Sequence, residues 1–162
     1  MAKILIVYQS QTGFTQQFAL WIAKGLHCEL LDTKFVTEAD LAQCELVIYG
    51  GHVMGKQVAG FRRFYRRYQA VLPEALLVFG TGVLPLQTHE VARIRDRNFH
   101  VCDLPPQFYY LRGQAALAPL PLRLRVRLRV QGYRDEDDCE TGRRVVQPIL
   151  DAVRRLDVTA LW

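Results

Sequence analysis

Cysteine is scarce. There are four, Cys28, Cys44, Cys102 and Cys139, in 162 residues, widely spaced and without a C-x-x-C. That spacing points to neither a zinc site nor a redox pair, and the reading is of buried free thiols. His27, His52, His89 and His100 stand singly and no H-E-x-x-H occurs, so the usual metal-ligand spacings are missing. There is no G-x-S-x-G elbow for a nucleophilic serine. The Gly-Lys-Ser/Thr of a nucleoside triphosphatase loop and the three-glycine fingerprint of a dinucleotide fold are also absent. Met1 is not followed by a basic-then-apolar leader, and no apolar run is long enough to span a bilayer, so the default expectation is a cytoplasmic protein. No acid, base or nucleophile of the chain stands out as catalytic, which leaves chemistry carried by a bound cofactor.

What is present is ordinary globular composition, 50% hydrophobic and 23% charged, at a length that suits one domain over 1–162. Lys3 to Tyr8, K-I-L-I-V-Y, is aliphatic without alternation, as a strand covered on both faces of a parallel sheet is. The chain then changes character. Ser10, Gln11, Thr12, Gly13 and Thr15 are small or polar, and Phe18, Ile22 and Leu26 resume at helical spacing. A helix beginning near Gly13 has amide N–H groups without intrahelical partners and the positive end of its dipole at that loop. An anion set against Ser10 to Thr15, Phe14 included, is therefore stabilised by backbone donors and three hydroxyls, with no lysine or arginine needed. A monophosphate ester suits such a loop; the alternative is a turn that starts a helix and binds nothing.

Strand-like runs recur at 26–32, 46–49, 75–79 and 100–102, with helical patterns at about 14–26, 55–71, 86–97 and 140–156. This alternation predicts right-handed βαβ units and an α/β three-layer sandwich around a parallel sheet. Ligands of such sheets sit beyond the carboxyl ends of the strands, where strand order reverses. Two more loops are expected there, Gly50, Gly51, His52, Val53 and Met54 in one and Gly80, Thr81, Gly82 and Val83 in the other. Their glycines suit close approach of backbone to a flat ring, or equally a plain strand-to-helix turn.

The S-Q-T-G-F-T of Ser10 to Thr15 resembles the FMN-phosphate loop of the flavodoxin family. The span from Met1 to about Gly113 is similar to a flavodoxin domain, nearest to its protoporphyrinogen-dehydrogenase-like, menaquinone-dependent branch. That branch is suggested by Gly50-Gly51 with Gly55-Lys56, by the basic run Phe61-Arg62-Arg63-Phe64, and by Phe108 to Gly113. The resemblance implies a five-stranded parallel sheet in the order 2-1-3-4-5. It also implies FMN as cofactor, with its phosphate on Ser10 to Thr15 and its ring between Gly50 to Met54 and Gly80 to Val83. Tyr109 and Tyr110 are implied as a nearby aromatic segment, and a redox partner protein, quinone or tetrapyrrole as the exchange partner.

Two departures from that family stand out. His52, Val53 and Met54 occupy the place where many flavodoxins stack an aromatic ring on the flavin, and His52 is a candidate to hydrogen-bond the flavin or simply to be solvated. The formal net charge is +5, whereas flavodoxin carriers are usually acidic. Much of the excess lies in a basic segment near 115–135. Within it Arg123, Arg125, Arg127 and Arg129 alternate with Leu122, Leu124, Val126, Leu128 and Val130, a period of two that reads as a strand. That stripe is either a solvated face or a surface for anionic lipid headgroups or an acidic redox partner, which makes the protein membrane-associated in the lipid case. Nucleic acid is the least fitting partner, since no aromatic residues interleave the arginines. Two functions remain open. One is an FMN-dependent redox protein; the other is a module of the same fold that keeps protein interaction and has weak or lost FMN binding.

Overall fold

A computed structural model describes residues 3–10, 13–113 and 136–160, with the side chains of the last helix described from 142 to 156. The described elements, in chain order, are β1 (Ile4–Gln9), α1 (Phe14–Leu26), β2 (Glu29–Asp32), α2 (Glu38–Ala42), β3 (Leu46–Met54) and β4 (Gln57–Val58). After these come α3 (Phe61–Tyr68), β5 (Ala75–Gly82), α4 (Thr88–Phe99), β6 (Gln107–Arg112) and α5 (Glu136–Ala160). Five strands pair in parallel in the order β2-β1-β3-β5-β6, and β4 folds back antiparallel on β3. Counting the parallel strands alone, this is the expected 2-1-3-4-5.

The apolar run of β1 divides by parity, because successive side chains of a strand point to opposite faces. Ile6 and Tyr8 join Ile48, Leu77 and Phe79 under α1 and α5, where Phe18, Ile22, Val146, Ile149 and Leu150 close the layer. Leu5 and Val7 join Val47, Tyr49 and Val78 under α2, α3 and α4, where Leu41, Phe61, Phe64, Ile94 and Phe99 do the same. Two apolar layers thus enclose one sheet. Cys28, Cys44 and Cys102 are free thiols, and Cys44 and Cys102 are buried.

Several boundaries differ from the sequence reading, each for a local reason. Helix α1 runs to Leu26 and ends on His27 in the left-handed region (φ 53°), so the second strand begins at Glu29 rather than Leu26. The third strand continues through Gly50 to Met54 and the fourth through Gly80 to Gly82, so both glycine segments are strand ends rather than loops. The expected helix over 55–71 starts only at Phe61. Gly55 and Lys56 both have positive φ, which makes them the two central residues of a β3–β4 hairpin turn, and Gly60 (φ 73°) separates that hairpin from the helix. His100–Cys102 is a turn after α4, and the last parallel strand is Gln107–Arg112. The helix α2 went unread in the sequence. Its signature was there in Thr37-Glu38-Ala39-Asp40, a capping box in which Thr37 Oγ1 accepts from the Asp40 N–H and Asp40 accepts from the Thr37 N–H. The basic segment 115–135 lies outside the described residues, up to the first residue of α5 at 136, and so do Arg123, Arg125, Arg127 and Arg129.

One buried side chain fixes the hairpin. Asn98, 1% exposed, accepts from the Val58 N–H at 3.0 Å and donates to the Lys56 carbonyl at 3.0 Å and the Ile94 carbonyl at 2.7 Å. Polar hairpin backbone is thereby satisfied against the flank of α4. Asn98→Ala should cost about 2–4 kcal/mol, because it strips a buried N–H and a carbonyl of their partner. Urea unfolding followed by circular dichroism measures this, and an unchanged midpoint would mean that the clamp does not form.

Candidate functional site

Every parallel strand delivers its carboxyl end to one edge of the sheet, and the order across it is β2, β1, β3, β5, β6. Strand order reverses between β1 and β3, so the loop after β1 and the ends of β3 and β5 are neighbours at the switch point. In register, Gln9 lies beside Gly51 and His52 beside Thr81.

The loop after β1 ends in Gly13, which starts α1 with a left-handed φ of 76°. Gly13 has no side chain to cap the helix, and no acidic residue stands in its first turn. The first α1 amide with an intrahelical bond is that of Gln17, to the Gly13 carbonyl at 3.1 Å. The N–H groups of Thr15 and Gln16 have no acceptor within the helix. Ser10 Oγ is buried beside this start and has no hydrogen-bond partner among the described residues. Gln11 and Thr12 lie outside the described residues. Thr15 sits differently. Its side chain turns inward, 1% exposed, and its hydroxyl hydrogen-bonds that of Thr81, also fully buried, at 2.9 Å. This bond ties the first turn of α1 to the end of β5.

Phe14 packs edge-on against Phe18 at 5.2 Å between centroids and against His52 at 6.3 Å. Its ring covers Gly113, where a Cβ would overlap it. His52, half-buried in this setting, has its pKa pushed below the ordinary 6.5 by loss of solvent, partly opposed by a hydrogen bond to the Thr81 backbone. At neutral pH it is an uncharged imidazole, able to donate from one nitrogen and accept at the other.

The glycines at the strand ends make room for this chain's own side chains. A Cβ on Gly50 would run into the Phe79 ring, one on Gly80 into Val53 and Phe108, and one on Gly82 into the Tyr110 hydroxyl. Gly51 lies against the Ala59 carbonyl. Tyr109 and Tyr110, successive residues of β6, point to opposite faces. Tyr109 packs toward the layer under α1 and α5 and donates to Gln107. Tyr110 donates to the Leu84 carbonyl at 2.9 Å, and Arg112 Nε donates to the Val83 carbonyl at 3.1 Å, so β6 holds the loop after β5 by its backbone. Two large apolar side chains stand exposed past the ends of β3 and β5: Met54, 65% exposed at the hairpin, and Leu84, 66% exposed after β5. Leu84 was not singled out in the sequence, where L-P-L-Q after a glycine pair carries no motif.

The edge therefore offers a helix start, a buried hydroxyl with no partner among the described residues, a neutral imidazole and two exposed apolar side chains. Among the described residues no group of three or more His, Cys, Asp or Glu could hold a metal ion, and no helix is long and apolar enough to cross a membrane.

Loss of solvent is the main cause of the His52 shift, and Phe14 is a cover over its ring. Phe14→Ala should therefore move the His52 pKa back up toward 6.5, read from its ring resonances by NMR across pH 4.5 to 8. The sign for stability follows. A base whose folded pKa lies below the unfolded one leaves the unfolded chain with more bound protons, so stability declines as the pH falls through about 6.5. Phe14→Ala should flatten that decline.

No curated protein matches the chain. Solved structures do. Oxidised flavodoxin 2 from Bacillus cereus is 18% identical, with a TM-score of 0.55 over 94% of this chain and 99% of its own. The two-electron reduced flavodoxin of Megasphaera elsdenii is 18% identical, with a TM-score of 0.52 over 75% of this chain and 95% of its own. The flavodiiron core of Flv1 from a Synechocystis species is 14% identical, with a TM-score of 0.52 over 94% of this chain but 36% of its own. These likenesses are of fold. The model of the flavodoxin domain matches residues 5–115, the stretch that contains all but the first residue of β1, the rest of the sheet and all three edge segments, and on that match the chain belongs to the flavodoxin domain family.

Proposed function

We propose that this chain is an FMN-binding redox protein, holding the cofactor's phosphate against the start of α1. The observation that carries the reading is the buried Ser10 hydroxyl without a partner among the described residues, set beside a helix whose N-cap, Gly13, has no side chain to cap it. An unpaired buried polar group costs about 1–3 kcal/mol, and a phosphate oxygen at that point would satisfy it while lying at the positive end of the α1 dipole. Membership of the flavodoxin domain family supports the same cofactor. Met54 and Leu84 would flank the ring, taking the part of stacking aromatics, and their exposure is then the mark of a surface that a flat apolar group covers. Bound FMN supplies one- and two-electron transfer. The chain's own contribution is to orient the cofactor, and His52 offers it a neutral hydrogen-bonding group rather than a charge. Oxidation of a protoporphyrinogen-like tetrapyrrole with a quinone acceptor is the reaction that the sequence resemblance suggests, and transfer to a redox partner protein is the simpler one.

One observation favours a second reading, in which the fold serves protein interaction with weak or lost FMN binding. Thr15, one of the three hydroxyls expected in the cradle, is bonded to Thr81 instead. Colour separates the two readings. The purified protein should be yellow, release FMN on denaturation, and rebind FMN far better than riboflavin; a colourless protein that takes up no added FMN would sink the first reading. Ser10→Asp and Thr12→Asp should each weaken FMN binding at least about a hundredfold, close to 3 kcal/mol, by setting a carboxylate against the phosphate. Unchanged affinity in both, by fluorescence quenching of the titrated flavin, would mean that the phosphate lies elsewhere.

A further inference from the structure

We infer that the outer surface of α3 and the foot of α4 is a docking face for an acidic protein, separate from the cofactor edge and independent of whether FMN is bound. Helix α3 reads F-R-R-F-Y-R-R-Y, four arginines in eight residues with no acid. Phe61, Phe64 and Tyr68 turn into the core, so the arginines are left for the outside. Arg62 reaches across to α4 and donates to the Arg97 carbonyl at 2.7 Å, which joins the two helix surfaces. Arg63, Arg66 and Arg67 are exposed, three and four residues apart on one row. None of the three has a carboxylate partner among the described residues, and Arg67 lies over the Tyr68 ring at 5.2 Å. The row extends to exposed Arg97 and His100. The nearby Asp96 is already paired with Arg95 at 3.5 Å.

Like charges at this spacing cost a helix stability rather than adding any, so the row is not explained by the fold. Beside it the turn after α4 exposes Val101 (40%) and Leu104 (65%), and Tyr65 of α3 hydrogen-bonds the backbone of Asp103 in that turn. An apolar centre with arginine and tyrosine around it is the composition of a protein interface, and guanidinium groups match carboxylates in a planar, two-bond geometry. A membrane would use the apolar face of an amphipathic helix, but that face of α3 is buried in the core. Single-stranded nucleic acid would use exposed aromatic platforms, and the rings of Phe61, Phe64 and Tyr68 are covered. The fitting partner is a protein surface with carboxylates around an apolar centre.

The test uses the full-length protein and three probes: a glutamate–leucine copolymer, vesicles of phosphatidylcholine with 30% phosphatidylserine, and a 20-base single-stranded DNA. Binding to the copolymer should weaken at least tenfold in the triple variant Arg63→Glu, Arg66→Glu, Arg67→Glu and at least threefold in Leu104→Ser, and should weaken with added salt. Flavin content and thermal midpoint, measured on the same preparations, should match those of the parent, which separates loss of docking from loss of fold or of cofactor. The inference is overturned if the triple variant binds the copolymer as the parent does. It is overturned equally if replacing Arg123, Arg125, Arg127 and Arg129 by Gln abolishes binding while the α3 variant keeps it. Tighter binding of the parent to the vesicles or the DNA, lost in the α3 variant, would assign the face to lipid or nucleic acid and overturn it as well.

Discussion

Parallel strands cannot be joined by a tight turn; each must return to the starting edge before the next can pair. Most of this protein follows from that constraint. The returns are the helices, which cover both faces and force the buried stretches of β1, β3 and β5 to be apolar. The exits from the strands all fall on one edge, so residues as far apart as Ser10, His52 and Thr81 become neighbours. A site at this edge inherits a buried, close-packed floor, and its own residues are free to vary in chemistry.

At the edge, the side chains do two kinds of work. Some lock the framework. Thr15 bonds Thr81, Tyr110 and Arg112 hold the carbonyls of Leu84 and Val83, and Asn98 fixes the hairpin after β3. Others are left in a state that a ligand would relieve, namely the Ser10 hydroxyl and the exposed Met54 and Leu84. Charge is distributed separately, with arginines on α3 away from the helix start and none in the loop that would hold a phosphate.

Local chemistry was readable where one residue type has one structural use. The β1 run, the hydroxyl-rich turn into α1 and the parallel βαβ layout follow from composition and period, whereas the strand order came from the family resemblance. Misreadings came where two states share a pattern. V-M-G-K-Q-V reads as the lead-in to a helix until Gly55 and Lys56 are seen with positive φ, closing a hairpin. H-V-C is as apolar as a strand, yet it follows directly on α4, whereas Q-F-Y-Y-L-R finds β5 to pair with.

The sequence by itself determined the fold class and the edge at which a ligand is expected, because hydrophobic period and helix-start chemistry act over a few residues and need no partner. Only the tertiary structure decided what each residue at that edge does. Thr15 became a core tie rather than a free hydroxyl because its inward face meets Thr81 from a strand 66 residues later. The glycines at 50, 80 and 82 came to accommodate Phe79, Val53 and Tyr110 because neighbouring strands bring those side chains across them. Contacts of that range depend on how strands pair, and no local pattern records them.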